Sequence, residues 1–236
     1  VFILKFLYDQ SIVKTKKLYP CDMAFSFGIV TNLKIWYNTR VKPKEWCSLG
    51  NAPPRVKKEK VNLLKKLNES DLPILHTLIY SSEKPRWTLY NAPYFDEYKQ
   101  INLETFLQSE NHLFFLSENV LAIVYEERII GVVTRYWEDI RTRWLEIGIV
   151  IYDDSLWSHG IGTSALQEWI GICFKDFPEI ERVGLTTWSG NPGMMRLSEK
   201  LGMTQEARIR KVRYYKGTYY DSIKYGILRD EFFALK

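Results

Sequence analysis

The sequence predicts a mixed α/β domain, built as a central and mostly antiparallel sheet with flanking helices. Three observations predict it. Two β-rich runs, "VLAIVY" (120–125) and "IIGVVTRYW" (129–137), flank the charged turn "EER", and a third run, "RWLEIGIVIY" (143–152), follows closely. Strand-like and helix-like runs then alternate up to residue 203. The stretch from Thr204 to Leu228 reads as a long hairpin turning near "YKGTYY".

Each element has its own justification. "VNLLKKL" (61–67) reads as a strand, and "NESDLP" (68–73) as a helix start, with Ser70 or Asp71 as the cap and Pro73 in the first turn. Leu72, Leu75, Leu78 and Ile79 continue at helical spacing, and "LETFLQ" (103–108) is a second short helix. In "TSALQEWIGICF" (163–174), Leu166, Trp169, Ile170, Cys173 and Phe174 form an apolar stripe wide enough to lie on a sheet. "RVGLTTW" (182–188) is a strand, and "NPGMMRLSEKLGM" (191–203) is a helix closed by Gly202.

Bulk composition bounds the function. With 236 residues, 46% of them hydrophobic, the chain suits one medium domain, or one domain plus an appendage. No apolar run reaches the roughly 20 residues of a membrane helix, and "VFILKFLY" at the start has no basic segment before it and no small-residue cleavage site after it. The chain therefore reads as soluble, with no membrane partner. Cys21, Cys47 and Cys173 have no CxxC spacing and fit a reducing, cytoplasmic setting. His76, His112 and His159 are scattered, so no metal is expected. The net charge of +5 is local: residues 1–58 carry 11 Lys+Arg against 3 Asp+Glu, whereas residues 59–236 carry 22 against 25. A mildly acidic body counts against nucleic acid as a partner. The basic front end runs to the linker-like "GNAPPRVKKEK", where Pro53 and Pro54 mark a plausible boundary. It reads as an extension of unclear role, even a non-native one, followed by the main domain at 59–236.

The chemistry concentrates at "SLWSHGIGTSAL" (155–166), where a strand runs into a glycine turn and then a helix. Such a junction aims main-chain N–H groups and the positive end of the helix dipole at one point, which makes an anion site. Gly160 and Gly162 are expected to let the backbone approach the anion where a Cβ would intrude, with Ser158, His159, Thr163 and Ser164 adding polar groups. A GxG alone points first to a tight turn. No Lys-Ser/Thr follows it as in a nucleotide-binding loop, and the third glycine of a dinucleotide fingerprint is missing.

A second strand–helix unit changes the reading. "LTTWSGNPGMMRLSEKLGM" (185–203), taken with "LEIGIVIYDDSLWSHGIGTSALQEWI" (145–170), resembles the cofactor site of the GNAT acyltransferase superfamily, and within it the RimJ/RimL-like branch that acetylates protein N-termini and small amines. The resemblance covers about residues 59–236. It implies a sheet splayed where acetyl-coenzyme A enters, with the pyrophosphate on the turn of Ser158, His159, Gly160, Ile161, Gly162 and Thr163. It also implies that the pantetheine arm pairs with the backbone near Ile149 and Ile151, and that Asn191 contacts the arm. Trp157 departs from the Gln or Arg that begins this turn in the superfamily; since the turn acts through main-chain donors, the departure is discounted.

The implied reaction is direct acetyl transfer to a primary amine in a ternary complex, without a covalent intermediate. Glu146 stands where related enzymes carry a glutamate that deprotonates the amine, and burial would make it a better base; the other reading is a solvent-facing Glu on an alternating strand. Ser198 stands where many relatives carry a Tyr that protonates the leaving thiolate; a serine is a shorter and much weaker acid, and the other reading of Ser198 is packing or a helix hydroxyl. Tyr214, Tyr215, Tyr219 and Tyr220 are candidates for the acceptor pocket or, as aromatics in a hairpin, for cross-strand packing. The acceptor is a small amine or a protein N-terminus. The alternatives are a non-catalytic acetyl-coenzyme A sensor or scaffold, and a ribosome- or RNA-associated protein using the basic front end. The oligomeric state is left open, a homodimer included.

Overall fold

The structure, a computed structural model, describes residues 63–95 and 97–235. The basic stretch 1–58, with Cys21, Cys47 and the expected boundary at Pro53 and Pro54, lies outside the described residues. Among the described residues, seven strands form one sheet: β1 (Leu64–Lys66), β2 (Val120–Tyr125), β3 (Arg128–Asp139), β4 (Trp144–Ile151), β5 (Arg182–Trp188), β6 (Thr204–Tyr215) and β7 (Thr218–Leu228). Their order is β1-β2-β3-β4-β5-β7-β6. All neighbouring pairs are antiparallel except β4 with β5. The helices are α1 (Leu72–Tyr80), α2 (Leu103–Gln108), α3 (Glu110–Phe115), α4 (Ile161–Asp176), α5 (Pro192–Lys200) and α6 (Arg229–Ala234). This is the mixed, mostly antiparallel architecture expected.

Alternation along the strands divides the apolar residues between two faces. On one face Ile123, Val133 and Ile147 pack against the stripe of α4 that includes Leu166, Trp169 and Ile170. Trp169 also donates its indole N–H to the Thr134 carbonyl at 2.9 Å, which fixes α4 across the sheet. On the other face Val120, Ala122 and Val132 pack with Leu72 and Leu75 of α1 and Phe106 of α2. Both two-residue hairpin turns have positive φ at both positions, Glu126 and Glu127 between β2 and β3, Lys216 and Gly217 between β6 and β7. That geometry matches the twist of the strands they join.

Three local readings need correction. Asp71, one of the two expected caps, stands at the N-cap of α1 but makes no side-chain cap bond there; the side-chain cap is at Asn68, which accepts from Ser70 N at 2.9 Å while Asp71 Oδ2 accepts from Asn68 N at 3.0 Å. A 3-10 turn over Glu69–Asp71 leads into α1, so the first uncommitted N–H groups lie one turn earlier than the apolar period suggests. Two helices were not expected, α3 and α6. Each is only six residues long, too short to show a period, and each is held by tertiary contacts. Phe232 of α6 meets the Phe174 ring at 5.7 Å, and the Arg229 guanidinium donates to the carbonyls of Phe174, Phe177 and Ile180 at the end of α4.

Among the described residues, no helix is long and apolar enough to cross a membrane, and no group of three or more His, Cys, Asp and Glu could hold a metal ion.

Candidate active site

The parallel pair β4–β5 is joined at only two positions, Leu145 with Val183 and Glu146 with Gly184, after which the strands part. Beyond Glu146, β4 runs on with β3 as its strand partner and an open edge toward β5. Tyr152 N donates to Ile130 O at 2.9 Å, so this phase of β4 bonds to β3. Strand alternation then turns the main-chain groups of Ile147, Ile149 and Ile151 toward the opening. A cavity of about 60 Å³ lies between the strands, lined by Ile147, Gly148, Ile149, Thr186, Thr187 and Asn191.

The wide end of the opening leads to the glycine turn. Ser158 at φ +67 and Gly160 at φ +84 are both left-handed, and Gly160 is the N-cap of α4. No side chain caps this helix, and its first turn holds no acidic residue. The first main-chain bond back into the turn is Ser164 N to Gly160 O at 3.1 Å, which leaves the N–H groups of Ile161, Gly162 and Thr163 at the positive end of a 16-residue helix. Ser158, His159 and Gly160 are exposed. His159 Nδ1 lies 2.9 Å from Trp157 O, an arrangement that places the ring proton on Nδ1.

Within the chain the two glycines answer to different constraints. A Cβ on Gly160 would meet no protein atom within 4 Å, so the residue is required by its positive φ and not by crowding within the chain. At Gly162 a Cβ would come 3.0 Å from Leu197 Cδ1 and 3.6 and 3.7 Å from the side-chain ends of Ile151 and Ile149, so this glycine lets α4, α5 and β4 pack closely.

Trp157 has a definite task. Its indole N–H donates to Ile151 O at 3.0 Å, tying the turn to the end of β4. Ile149 therefore keeps both main-chain groups on the open side, whereas the Ile151 carbonyl is already engaged. The Tyr90 ring meets the Trp157 ring edge-on at 5.5 Å, and Arg86 lies over Trp157 while pairing with Asp154 at 3.1 Å. Tyr90 also reaches the other arm: its carbonyl accepts from Trp188 Nε1 at 3.0 Å and from Asn191 Nδ2 at 3.3 Å. The segment at 86–91 thus spans the opening, a role the sequence reading missed; the aromatic density of "RWTLYNAPYF" (86–95) was the available signal. Asn191 caps α5 by accepting from Met194 N at 3.0 Å, so its side chain holds the cleft's wall as well as lining it.

At the narrow end sits Glu146, fully buried. It is not a solvent-facing residue. Oε2 accepts from Thr186 Oγ1 at 2.7 Å and Tyr136 OH at 3.1 Å, and Oε1 accepts from Trp144 Nε1 at 3.1 Å. Arg182 Nη2 and Lys224 Nζ each stand 3.8 Å from Oε1. Burial, then the carboxylates of Glu146 and Glu138, push the Tyr136 phenol well above its ordinary range, so it is a neutral donor here. The carboxylate is thus held by three donors, with two cations nearby.

Arg182 is held by a bidentate pairing with Glu206, and the pair lies over the facing glycines Gly184 and Gly226, where any Cβ would overlap it. Beside this pair, a cavity of about 330 Å³ is lined by Thr142, Trp144, Arg182, Glu206 and Lys224.

Ser198 is fully buried in α5, and its hydroxyl donates to Met194 O at 2.9 Å. Its one proton is therefore committed to the helix, as the helix-hydroxyl reading has it, and not to an acid role. In the last hairpin, Tyr214 and Tyr219 are an exposed cross-strand pair at 4.9 Å, while Tyr215 and Tyr220 pack edge-on to Trp188. These are packing contacts of the kind the alternative reading described.

Comparison with known proteins agrees with this geometry. Residues 63–204 match the family model of the acetyltransferase (GNAT) domain. The chain is similar to the SPbeta prophage-derived uncharacterized N-acetyltransferase YokL of Bacillus subtilis, 44% identical over 52 residues, which is 22% of this chain and 29% of that protein. It is also similar to YdaF of the same organism, provisionally named as a ribosomal N-acetyltransferase, 27% identical over 109 residues, or 46% of this chain and 58% of that one. The matches thus span less than two thirds of these curated relatives. Among solved structures, the spermidine N-acetyltransferase of Vibrio cholerae in complex with CoA and spermine superposes with a TM-score of 0.58 at 19% identity, covering 72% of this chain and 96% of that one. The ribosomal L7/L12 alpha-N-protein acetyltransferase RimL in complex with coenzyme A gives 0.57 at 20% identity, covering 71% and 94%. At such identities the structures show the fold. With more than half of the chain inside the family match, and the parted β4–β5 pair leading to an uncapped helix start, the chain belongs to the GNAT acetyltransferase family.

Proposed function

We propose that the chain transfers the acetyl group of acetyl-coenzyme A to a primary amine by direct attack in a ternary complex. The observation that carries this reading is the opening between β4 and β5, which runs from a buried carboxylate at Glu146 to the uncapped N-terminus of α4. A diphosphate fits the N–H groups at Gly160, Ile161, Gly162 and Thr163. Ser158 and His159, both exposed, flank it. The donor's extended arm fits the open main-chain groups of Ile149, with the Ile151 N–H beyond it and Asn191 on the opposite wall. The donor supplies an activated acetyl group as a thioester. This chain's own residues orient that group, exclude water and take a proton from the amine. Glu146 is the proton acceptor in this reading, and Ser198 takes no part in the chemistry.

The acceptor is a small amine or a protein N-terminus. The Vibrio cholerae neighbour is described with spermine and RimL as acting on a ribosomal protein, and YdaF carries a ribosomal name, which together support a RimJ/RimL-like enzyme. The free, buried Cys173 is consistent with a reducing, cytoplasmic setting for the reaction. A screen that follows free-thiol release from acetyl-coenzyme A across polyamines, amino acids, aminoglycosides and N-terminal peptides tests the reading. Amine-dependent release with at least one class supports it; release with none, from a chain that binds the donor, would leave a binding protein instead.

A further inference from the structure

Glu146 has no exposed surface, so the amine in the cleft needs a route to it. Thr186 occupies that route. It is the second residue past the last β4–β5 pair, on the same strand as the Gly184 that faces Glu146, and it lines the cleft. Its Oγ1 donates to Glu146 Oε2 at 2.7 Å and accepts from Lys224 Nζ at 3.2 Å. A threonine hydroxyl has one proton and two lone pairs, so these contacts leave one lone pair for a donor in the cleft.

We propose that Thr186 relays the proton of the acceptor amine to Glu146, with Lys224 as a positioning residue that holds the hydroxyl in line. The inference rests on the acetyl-transfer reading above. The bound ammonium passes one proton to Thr186 Oγ1 while the hydroxyl's own proton passes to Glu146, so the carboxylate becomes a carboxylic acid and the hydroxyl is regenerated. The nitrogen lone pair then forms the C–N bond, the C–S bond breaks, and a second nitrogen-bound proton goes to the sulfur as the thiol. Once the products leave, Glu146 returns its proton to water through the same hydroxyl, and one proton is released per acetyl group moved. A relay of this kind makes the lack of a proton donor at Ser198 tolerable, because the second proton moves from nitrogen to sulfur without help from α5.

The test compares Thr186→Val, which keeps the shape, with Thr186→Ser, which keeps the hydroxyl. For Val, kcat falls about 100-fold or more, the scale of acid–base catalysis, and for Ser it stays within about tenfold of the native chain. Calorimetry shows the same acetyl-coenzyme A affinity for all three. The rate of the Val variant keeps rising with pH toward the free amine's own pKa, because only amine that is already neutral can react. Tyr136 from β3, Arg182 from β5, Lys224 from β7 and Glu206 from β6 face this carboxylate or its partners and are unchanged in the variant. Should Val prevent folding, Thr186→Ala carries the same prediction with a smaller side chain. A folded Val or Ala variant with native kcat and pH profile overturns the relay, as does a Ser variant no faster than Val. A native chain that fails to bind acetyl-coenzyme A overturns the acetyl-transfer reading itself, and the relay with it.

Discussion

The two ends of the β4–β5 opening are built on opposite principles. The turn before α4 presents main-chain N–H groups, and no side chain caps that helix. The Glu146 cluster is made of side chains contributed by β3, β4, β5, β6 and β7, namely Tyr136, Trp144, Thr186, Arg182, Glu206 and Lys224. A main-chain site needs only the local conformation, so it tolerates Trp157 at its start and even puts that indole to structural use. A side-chain site depends on strand register, since a shift of one residue would send every member to the other face. The first end should therefore control donor affinity, and the second should control the rate.

Five substitutions sharpen or break this division. The largest effect is expected at Glu146→Gln, where kcat should fall about 10²- to 10⁴-fold with calorimetric affinity for acetyl-coenzyme A retained; a loss of affinity instead would merge the two ends. Next is Trp169→Ala, which strikes the scaffold both ends share. Truncating this fully buried ring and its bond to Thr134 O should cost about 3–5 kcal/mol in denaturant unfolding. Gly160→Ala comes third: forcing a Cβ to φ +84 should cost roughly 1–2 kcal/mol and weaken the donor's Kd by a comparable factor, with the pH profile of kcat unmoved. The neighbouring Gly162→Ala should be close to neutral by the same measurements, because its nearest obstacle is the flexible end of Leu197 and alanine favours the helix by about 1 kcal/mol. Smallest is Ser198→Ala. The hydroxyl returns to its own helix at Met194 O, so kcat should change little and stability by no more than about 1 kcal/mol. A large drop in its kcat would restore the acid role to α5.

The same division explains what was legible in the sequence. The strands, α4, α5 and the turn at Gly160 follow from local patterns: alternation, an apolar stripe, and a glycine where the chain reverses. The architecture was readable for that reason. Glu146 was found through resemblance, but its surroundings were not, because Thr186, Arg182 and Lys224 lie 36 to 78 residues further along the chain and meet it only once β4, β5 and β7 are in register. The strap at 86–91 was missed for a related reason: its hydrogen bonds go to Trp188 and Asn191, about 100 residues away, and it has no period of its own. Gly160 stood out as a glycine at a strand-to-helix junction, but its positive φ was not legible, since φ is invisible in a sequence.

The central claim is that the main-chain donors opening α4 hold the diphosphate of acetyl-coenzyme A. Titration calorimetry of the native chain with that compound is the most direct measurement. The account predicts saturable binding with one site and a Kd on the order of micromolar, about −8 kcal/mol, weakened by Gly160→Ala. Absence of heat at millimolar concentration, or an affinity indifferent to Gly160→Ala, would contradict it.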